Sequence, residues 1–327
     1  MERYTVSAVR INAAAKKAKE RLAGVVREPA DIPIELKRKL KIRHIRRKSD
    51  TMERFEIKVD YAKAGLPDPC TQPLLDCYVP TIFEETGRRS RGAVVICPGG
   101  GYDWCSEREA EPVAFRFMGA GYACFVLRYS CVDKKFPTAL LECAAALKYV
   151  RENAERFDID PDRVFVMGFS AGGHLAASMA NLWNSSVLSE TLGCDSELLK
   201  VNGSILCYPV ILSDPELTHE GTISNLLTHK DDPELRDLVS MDKRVGEQTP
   251  PTFIWHCADD GCVPVENTLF YTAALSKNKV PFESHIYPYG GHGLSLCDGT
   301  TATGDWHIVP AAATWVDHCL RWLSEQC

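Results

Sequence analysis

Residues 163–182 read RVFVMGFSAGGHLAASMANL. Five mostly apolar residues, short enough for a buried strand, run into Gly168-Phe169-Ser170-Ala171-Gly172-Gly173. A helix-forming, Ala-rich stretch follows at once. The pattern G-x-S-x-G at a strand-to-helix junction predicts a tight turn that pushes the serine hydroxyl out of the strand end. Small neighbours are needed there because backbones crowd. The helix N-terminus places a favourable potential where negative charge would develop. A phosphate-holding turn has similar glycines but needs no partners elsewhere in the chain.

Outward from this turn, strand and helix alternate. Upstream lie an apolar run at 93–97 (AVVIC), a helix with Pro112 in its first turn and Gly119 and Gly121 at its end, a strand at 122–129, and a long helix over 138–155. A turn is expected at Asp160-Pro161-Asp162. Downstream, short apolar strands are expected at 204–211 and 252–256, then a helix at 265–276, a strand at 282–287 and a helix at 309–324. Phe55, Ile57 and Val59 alternate with polar residues and, with 74–79 (LLDCYV), predict an antiparallel opening to the sheet. Apolar strands alternating with amphipathic helices imply a mostly parallel, doubly wound α/β sheet of about eight strands, helices on both faces. Such sheets bind ligands at the carboxyl ends of their strands. Residues 213–250 lack strand character and predict an insertion with short helices, read as a cap; a surface excursion is the alternative.

A serine hydroxyl needs a base, and the base needs an orienting acid. In this topology the order is Ser, then Asp or Glu, then His. Residues 252–264 (TFIWHCADDGCVP) end an apolar strand with two aspartates. Asp260, four residues past His256, is assigned the role, with Asp259 its competitor. His292 lies in Gly290-Gly291-His292-Gly293, straight after the strand FESHIY. His256 reads as a core or supporting residue and His174 as a packing or polar-network residue. His285, His307 and His318 have no supporting context. Donors to a developing oxyanion are expected from the Ala171 amide and from the Pro98-Gly99-Gly100-Gly101 loop, at Gly100 and Gly101. Tyr102, Trp104 and Trp306 are candidate pocket walls.

The stretches CPGGGY, EREAEPVAFRF, GYACFVLRYS, RVFVMGFSAGGHLAAS, HCADDGCVPVENT and YPYGGHGL resemble α/β-hydrolase esterases of the hormone-sensitive-lipase-like and bacterial acetyl-xylan/feruloyl esterase kind. The resemblance covers residues 92–327. It implies the α/β-hydrolase fold, Ser170, Asp260 and His292 as triad, and Gly100, Gly101 and Ala171 as oxyanion donors. Lipase-like members carry His-Gly-Gly-Gly, whereas Cys97-Pro98 precedes the glycines here. That departure points toward small-acyl, acetyl-type esters of carbohydrates. The rival readings are a short-chain lipase or carboxylesterase, an oligopeptidase, and a non-catalytic binding protein on the same fold. The reaction requires no metal or organic cofactor.

Composition adds bounds. The 327 residues carry a net charge of −6, which argues against a nucleic-acid partner. Residues 1–58 hold 17 Lys and Arg against 8 Asp and Glu, peaking at 37–48 (KRKLKIRHIRRK). Residues 1–55 are therefore read as a basic, mostly helical extension before a catalytic domain at 56–327. Its bland function is a solvated face with alkyl stems lying on the body. A nucleic-acid or anionic-lipid arm is the rival. The start of the chain lacks an apolar leader core, and no stretch of about 18 apolar residues occurs. Fourteen cysteines without a CxxC pair read as reduced thiols. Together these predict a cytoplasmic protein with no membrane span. The partner is a small-molecule ester, and the oligomeric state is open, a dimer included.

Overall fold

The computed structural model describes residues 52–326, except 70, 71, 84, 86, 88, 133 and 134. Residues 1–51 of the basic N-terminal extension, with its expected helices, lie outside the described residues.

Eight strands form one sheet: β1 (Met52–Glu56), β2 (Leu74–Tyr78), β3 (Arg91–Cys97), β4 (Ala123–Arg128), β5 (Ile159–Phe169), β6 (Gly203–Cys207), β7 (Thr252–Cys257) and β8 (Phe282–Tyr287). Their order is β1-β2-β4-β3-β5-β6-β7-β8. The pairs β1/β2 and β2/β4 are antiparallel, and all others are parallel. This is the mostly parallel, doubly wound sheet expected, with the antiparallel opening at one edge. The order reverses around β3 and β5, so their carboxyl ends flank the crevice where such sheets hold ligands.

Among the described residues, the α-helices longer than one turn are α1 (Glu111–Gly119), α2 (Thr138–Glu152), α3 (Ala171–Leu182), α4 (Ser186–Leu192), α5 (Glu220–Leu226), α6 (Pro233–Leu238), α7 (Glu266–Lys277) and α8 (Trp315–Glu325). Period-two alternation splits the strand residues between two cores. Val95, Phe125, Leu127, Val164 and Val166 face one side with α2, α3 and α7. Val94, Ile96, Val126, Phe165, Met167 and Phe169 face the other with α1 and α8. Each buried side chain of this size contributes about 1.5–3 kcal/mol relative to exposure. On the second face the Trp255 and Trp315 rings stack 5.4 Å apart.

Several boundaries differ from the expected ones, each for a local reason. β1 begins at Met52 and ends at Glu56, so it crosses the boundary drawn at residue 55. Beyond it, Ile57 N–H still reaches Pro73 O at 2.9 Å. The turn at residues 160–162 is a bulge inside β5: pairing with β3 slips between Arg91↔Ile159 and Ala93↔Val164. Asp160 Oδ1 closes it by accepting from Asp162 N–H. β6 ends at Cys207 because Tyr208 takes a positive φ of 37°. The helix expected over 138–155 breaks at Asn153, and the one over 309–324 breaks at Thr314. The helix α4 was not foreseen. The insertion at 213–250 does hold short helices, α5 and α6. Among the described residues, no helix is long and apolar enough to cross a membrane.

Candidate active site

The turn after β5 is built as its glycines require. Ser170 sits at φ 53°, ψ −118°, a backbone region rarely used by residues with a side chain. Neighbouring backbone over-determines it. Ser170 N–H donates to Cys207 O at 3.0 Å, and Ser170 O accepts from His174 N–H and Val210 N–H, each at 3.1 Å. A Cβ on Gly168 would lie 1.9 Å from Gly172 O, and one on Gly172 would lie 2.1 Å from Cys97 O. Only glycine lets β5, α3 and the loop after β3 approach so closely. The serine is 8% exposed, reachable from the crevice.

Three strand ends then converge. His292, from the loop after β8, places Nε2 2.8 Å from Ser170 Oγ and Nδ1 2.6 Å from Asp260 Oδ2. An ionised carboxylate can only accept, so His292 Nδ1 carries the proton and Nε2 accepts from the serine hydroxyl. Asp260 is buried at the end of β7. Its Oδ1 accepts from Cys262 N–H and Val263 N–H, both at 2.9 Å. Its Oδ2 also faces His256 Nε2 at 3.1 Å. Burial alone would raise the Asp260 carboxyl. The hydrogen bonds from His256 and His292 outweigh burial and hold it well below the usual carboxylate range. It is therefore the ionised partner of the pair at neutral pH.

His256 is fully buried, as a core residue should be, yet it touches the site directly. Its Nε2 faces two acceptors, Asp260 Oδ2 and Val263 O, so that nitrogen carries the proton. Its Nδ1 accepts from the Thr268 hydroxyl at 2.8 Å. Asp260 thus holds two imidazoles, one facing the serine and one locked into the core. The competitor Asp259 is exposed, and its Oδ1 accepts from Gly291 N–H at 2.9 Å. It fastens the histidine loop beside His292 and does not reach the imidazole.

The loop after β3 lies against Ser170. A Cβ on Gly99 would sit 3.1 Å from Ser170 Cβ. The Gly99 amide is committed to Glu109 Oε2 at 2.8 Å. Gly100 (φ 126°) and Gly101 (φ 65°) turn the chain immediately beyond it. Glu109 is a buried carboxylate that sequence reading missed. Its other oxygen accepts from the Tyr208 hydroxyl at 2.7 Å, and the Tyr208 hydroxyl oxygen in turn accepts from Ser295 N–H at 2.8 Å. The Tyr208 ring stands edge-on to His292, centroids 5.1 Å apart. One carboxylate thereby ties the Gly99 loop to the ring that backs the imidazole. Its only sequence signal was an acidic residue next to the apolar start of α1.

The expected pocket walls divide. Tyr102 is turned inward and 3% exposed, its hydroxyl 3.0 Å from His174 Nδ1, so it is a buried network residue and not a wall. Trp104 and Trp306 are exposed at 57% and 70%. His174 is the polar-network residue expected: its Nε2 donates to Val239 O at 2.8 Å. Burial lowers its pKa to about 4. Through it the Gly-rich loop is linked to the insertion at 213–250. A second link is Asn225 of α5, whose Nδ2 donates to Gly101 O at 2.9 Å. Among the described residues, no group of three or more His, Cys, Asp or Glu side chains is placed to hold a metal ion.

Known proteins align with this chain. Endo-1,4-beta-xylanase B of Butyrivibrio fibrisolvens is 32% identical over 238 residues, covering 69% of this chain and 36% of the relative. The acetylxylan esterase of Xylanibacter ruminicola is 34% identical over 227 residues, covering 67% of this chain and 43% of the relative. The chain thus spans less than half the length of these two relatives. Solved structures match over nearly their whole length. The acetyl ester-xyloside bifunctional hydrolase of Caldicellulosiruptor lactoaceticus superposes with a TM-score of 0.71 at 33% identity, covering 84% of this chain and 96% of that one. The carboxylesterase Cest-2923 of Lactobacillus plantarum gives 0.72 at 28%, covering 85% and 98%. The BD-FAE family model matches residues 75–275, more than half of the sequence, and the chain belongs to that family of α/β-hydrolase fold.

Proposed function

We propose that this chain is a serine esterase that hydrolyses small acyl esters, acetyl-type esters of carbohydrates foremost, through an acyl-enzyme. The observation that carries the reading is the continuous relay Ser170 Oγ, His292 Nε2, His292 Nδ1, Asp260 Oδ2, with spacings of 2.8 and 2.6 Å. Ser170 Oγ attacks the ester carbonyl carbon while its proton passes to His292 Nε2. The carbonyl π pair moves onto oxygen, and the oxyanion is held by the amides of Ala171, Gly100 and Gly101. Because the Gly99 amide is taken by Glu109, the donors on that loop fall to the two glycines after it. Collapse of the intermediate breaks the bond to the alcohol oxygen, which leaves with the proton from His292. Water then attacks the acyl-enzyme, giving its proton to His292, and the acid leaves as Ser170 regains its hydroxyl. Asp260 stays ionised throughout, fixing the imidazole tautomer and stabilising the imidazolium.

The acyl and alcohol preference draws on the relatives, two of which are named for xylan or acetyl-xylan chemistry. The test is hydrolysis of acetylated xylo-oligosaccharides beside a 4-nitrophenyl ester series from acetate to octanoate. Acetyl substrates should be turned over fastest, with Ser170→Ala lower by about 10⁴-fold or more in kcat. Octanoate running far ahead of acetate would turn the reading toward a lipase. Full activity in Ser170→Ala would end it.

A further inference from the structure

The insertion brings a fourth imidazole to this site. His219 caps the N-terminus of α5: its Nδ1 accepts from Thr222 N–H at 3.3 Å and lies 2.9 Å from Thr222 Oγ1. With the Nδ1 lone pair engaged, the neutral ring carries its proton on Nε2. Among the described residues, no protein group accepts that proton. The ring is half-buried, and its Cε1 lies 3.9 Å from where a Gly101 Cβ would stand. The helix it caps is fastened to the same residue through Asn225 and Gly101 O. His219 therefore sits beside the proposed oxyanion loop with one N–H to offer. It also lies within electrostatic reach of His292 and Asp260. Burial foremost, and the neighbouring His292 after it, hold its pKa below the usual value, which Asp260 only partly offsets. A ring so placed stays neutral. It cannot act as a second base, because the nitrogen that could accept is occupied, but it can donate.

An ester bound for attack puts its carbonyl oxygen on the Gly100 and Gly101 amides and its alcohol oxygen toward His292. His219 lies beside the first of these anchors, the Gly101 loop, and within electrostatic reach of the second. We propose that His219 is a specificity-determining residue whose Nε2–H hydrogen-bonds an oxygen of the alcohol part of the ester, favouring polyhydroxy alcohols over plain alkyl or aryl ones. The inference rests on the serine-esterase reading above and adds a recognition group to it. A half-buried donor discriminates modestly, because an alcohol lacking the oxygen covers it and leaves it unpaired.

The variant that isolates the donor is His219→Asn. Asparagine is among the best helix N-caps, so α5 keeps its cap while the Nε2–H is removed from the crevice. For this variant kcat/KM on an acetylated xylo-oligosaccharide should fall by about 3- to 10-fold, the worth of one neutral hydrogen bond. On 4-nitrophenyl acetate it should change by less than about twofold, which also reports that the fold and the serine are intact. His219→Ala should show the same split with an added loss of thermal stability from the missing cap. Equal losses on both substrates, or no loss on either, would overturn the proposal. Ser170→Ala run on both esters separates the two levels: retained turnover there sinks the esterase reading itself, whereas an inactive Ser170→Ala beside an unselective His219→Asn sinks only the role of His219.

Discussion

The turn at Ser170 and the insertion at 213–250 meet at the same Gly-rich loop, but they are held there by different means. Around Ser170 the contacts are backbone on backbone: β5, α3 and the loop after β3 approach within distances only glycines permit. The insertion meets the loop through side chains: Asn225 Nδ2 to Gly101 O, and His174, which joins Tyr102 of the loop to Val239 O. Its helix α6 buries no residue at all. Backbone packing has no cheaper arrangement to relax into, whereas a side-chain tether can be exchanged at the cost of one hydrogen bond. The difference fits the division of labour proposed above, in which strand ends carry the chemistry and the insertion selects the alcohol. The predictions that follow break one kind of contact at a time.

The largest effect belongs to the backbone contact. In Gly172→Ala the new methyl would lie 2.1 Å from Cys97 O and 2.3 Å from Pro98 O, both main-chain atoms that cannot step aside. We expect a loss of more than about 4 kcal/mol in urea unfolding, with most of the protein insoluble. Gly261→Ala is the matched control: it lies one residue past Asp260, but its added Cβ meets nothing within 4 Å. It should cost less than about 0.5 kcal/mol. If the two variants melted together, the close approach at the turn would not be what fixes Ser170.

This asymmetry also decides what could be read from the sequence. The turn, the strand ends and the order Ser, Asp, His are written in local patterns, because a glycine forced by backbone contact leaves a mark at its own position. Asp260 was distinguishable from Asp259 only by its spacing, and the structure shows both aspartates at work, one on His292 and one on Gly291 N–H. What stayed hidden were residues whose partners lie far along the chain. Glu109 meets Tyr208, 99 positions away, and His219 and Asn225 reach the glycine loop from more than 100 residues away. Helix α5 follows a short polar stretch whose N-cap is a histidine, an uncommon capping residue, so the usual start signal was absent. Tyr102 was misplaced because an aromatic beside a loop looks the same in sequence whether it faces solvent or the core.

An intermediate effect is expected where the two kinds of contact join. His174 bridges Tyr102 on the Gly-rich loop to Val239 on the insertion, fully buried and with its pKa lowered to about 4. In the unfolded chain a histidine titrates near 6.5. The unfolded state therefore takes up this proton first as pH falls. Stability from the neutral ring is fully present above pH 6.5 and is lost as pH drops to about 4, a difference of about 3 kcal/mol. Urea unfolding of the wild type and of His174→Gln at pH 7 and pH 4 measures it. The wild type should lose more stability over that interval than the variant, whatever their offset at pH 7. Parallel profiles would mean that the bridge opens to water and does not bind the two regions.

The smallest effect is the cleanest test of the division itself. Asn225 Nδ2 donates to Gly101 O at 2.9 Å, a single neutral bond from the insertion to a residue proposed to hold the oxyanion. Removing it in Asn225→Ala should cost about 1 kcal/mol, read as a fall of roughly fivefold in kcat. Asn225→Asp should fall further, because a carboxylate oxygen would then face a carbonyl oxygen with no proton between them. Since the bond orients the loop and does not touch the alcohol, both variants should lose equally on acetylated oligosaccharide and on 4-nitrophenyl acetate. That uniform loss contrasts with the selective one expected at His219, six positions earlier in the same insertion. If Asn225→Ala instead became selective between the two esters, the tether would be part of the recognition surface, and the boundary between chemistry at the strand ends and selection in the insertion would have to be drawn inside α5.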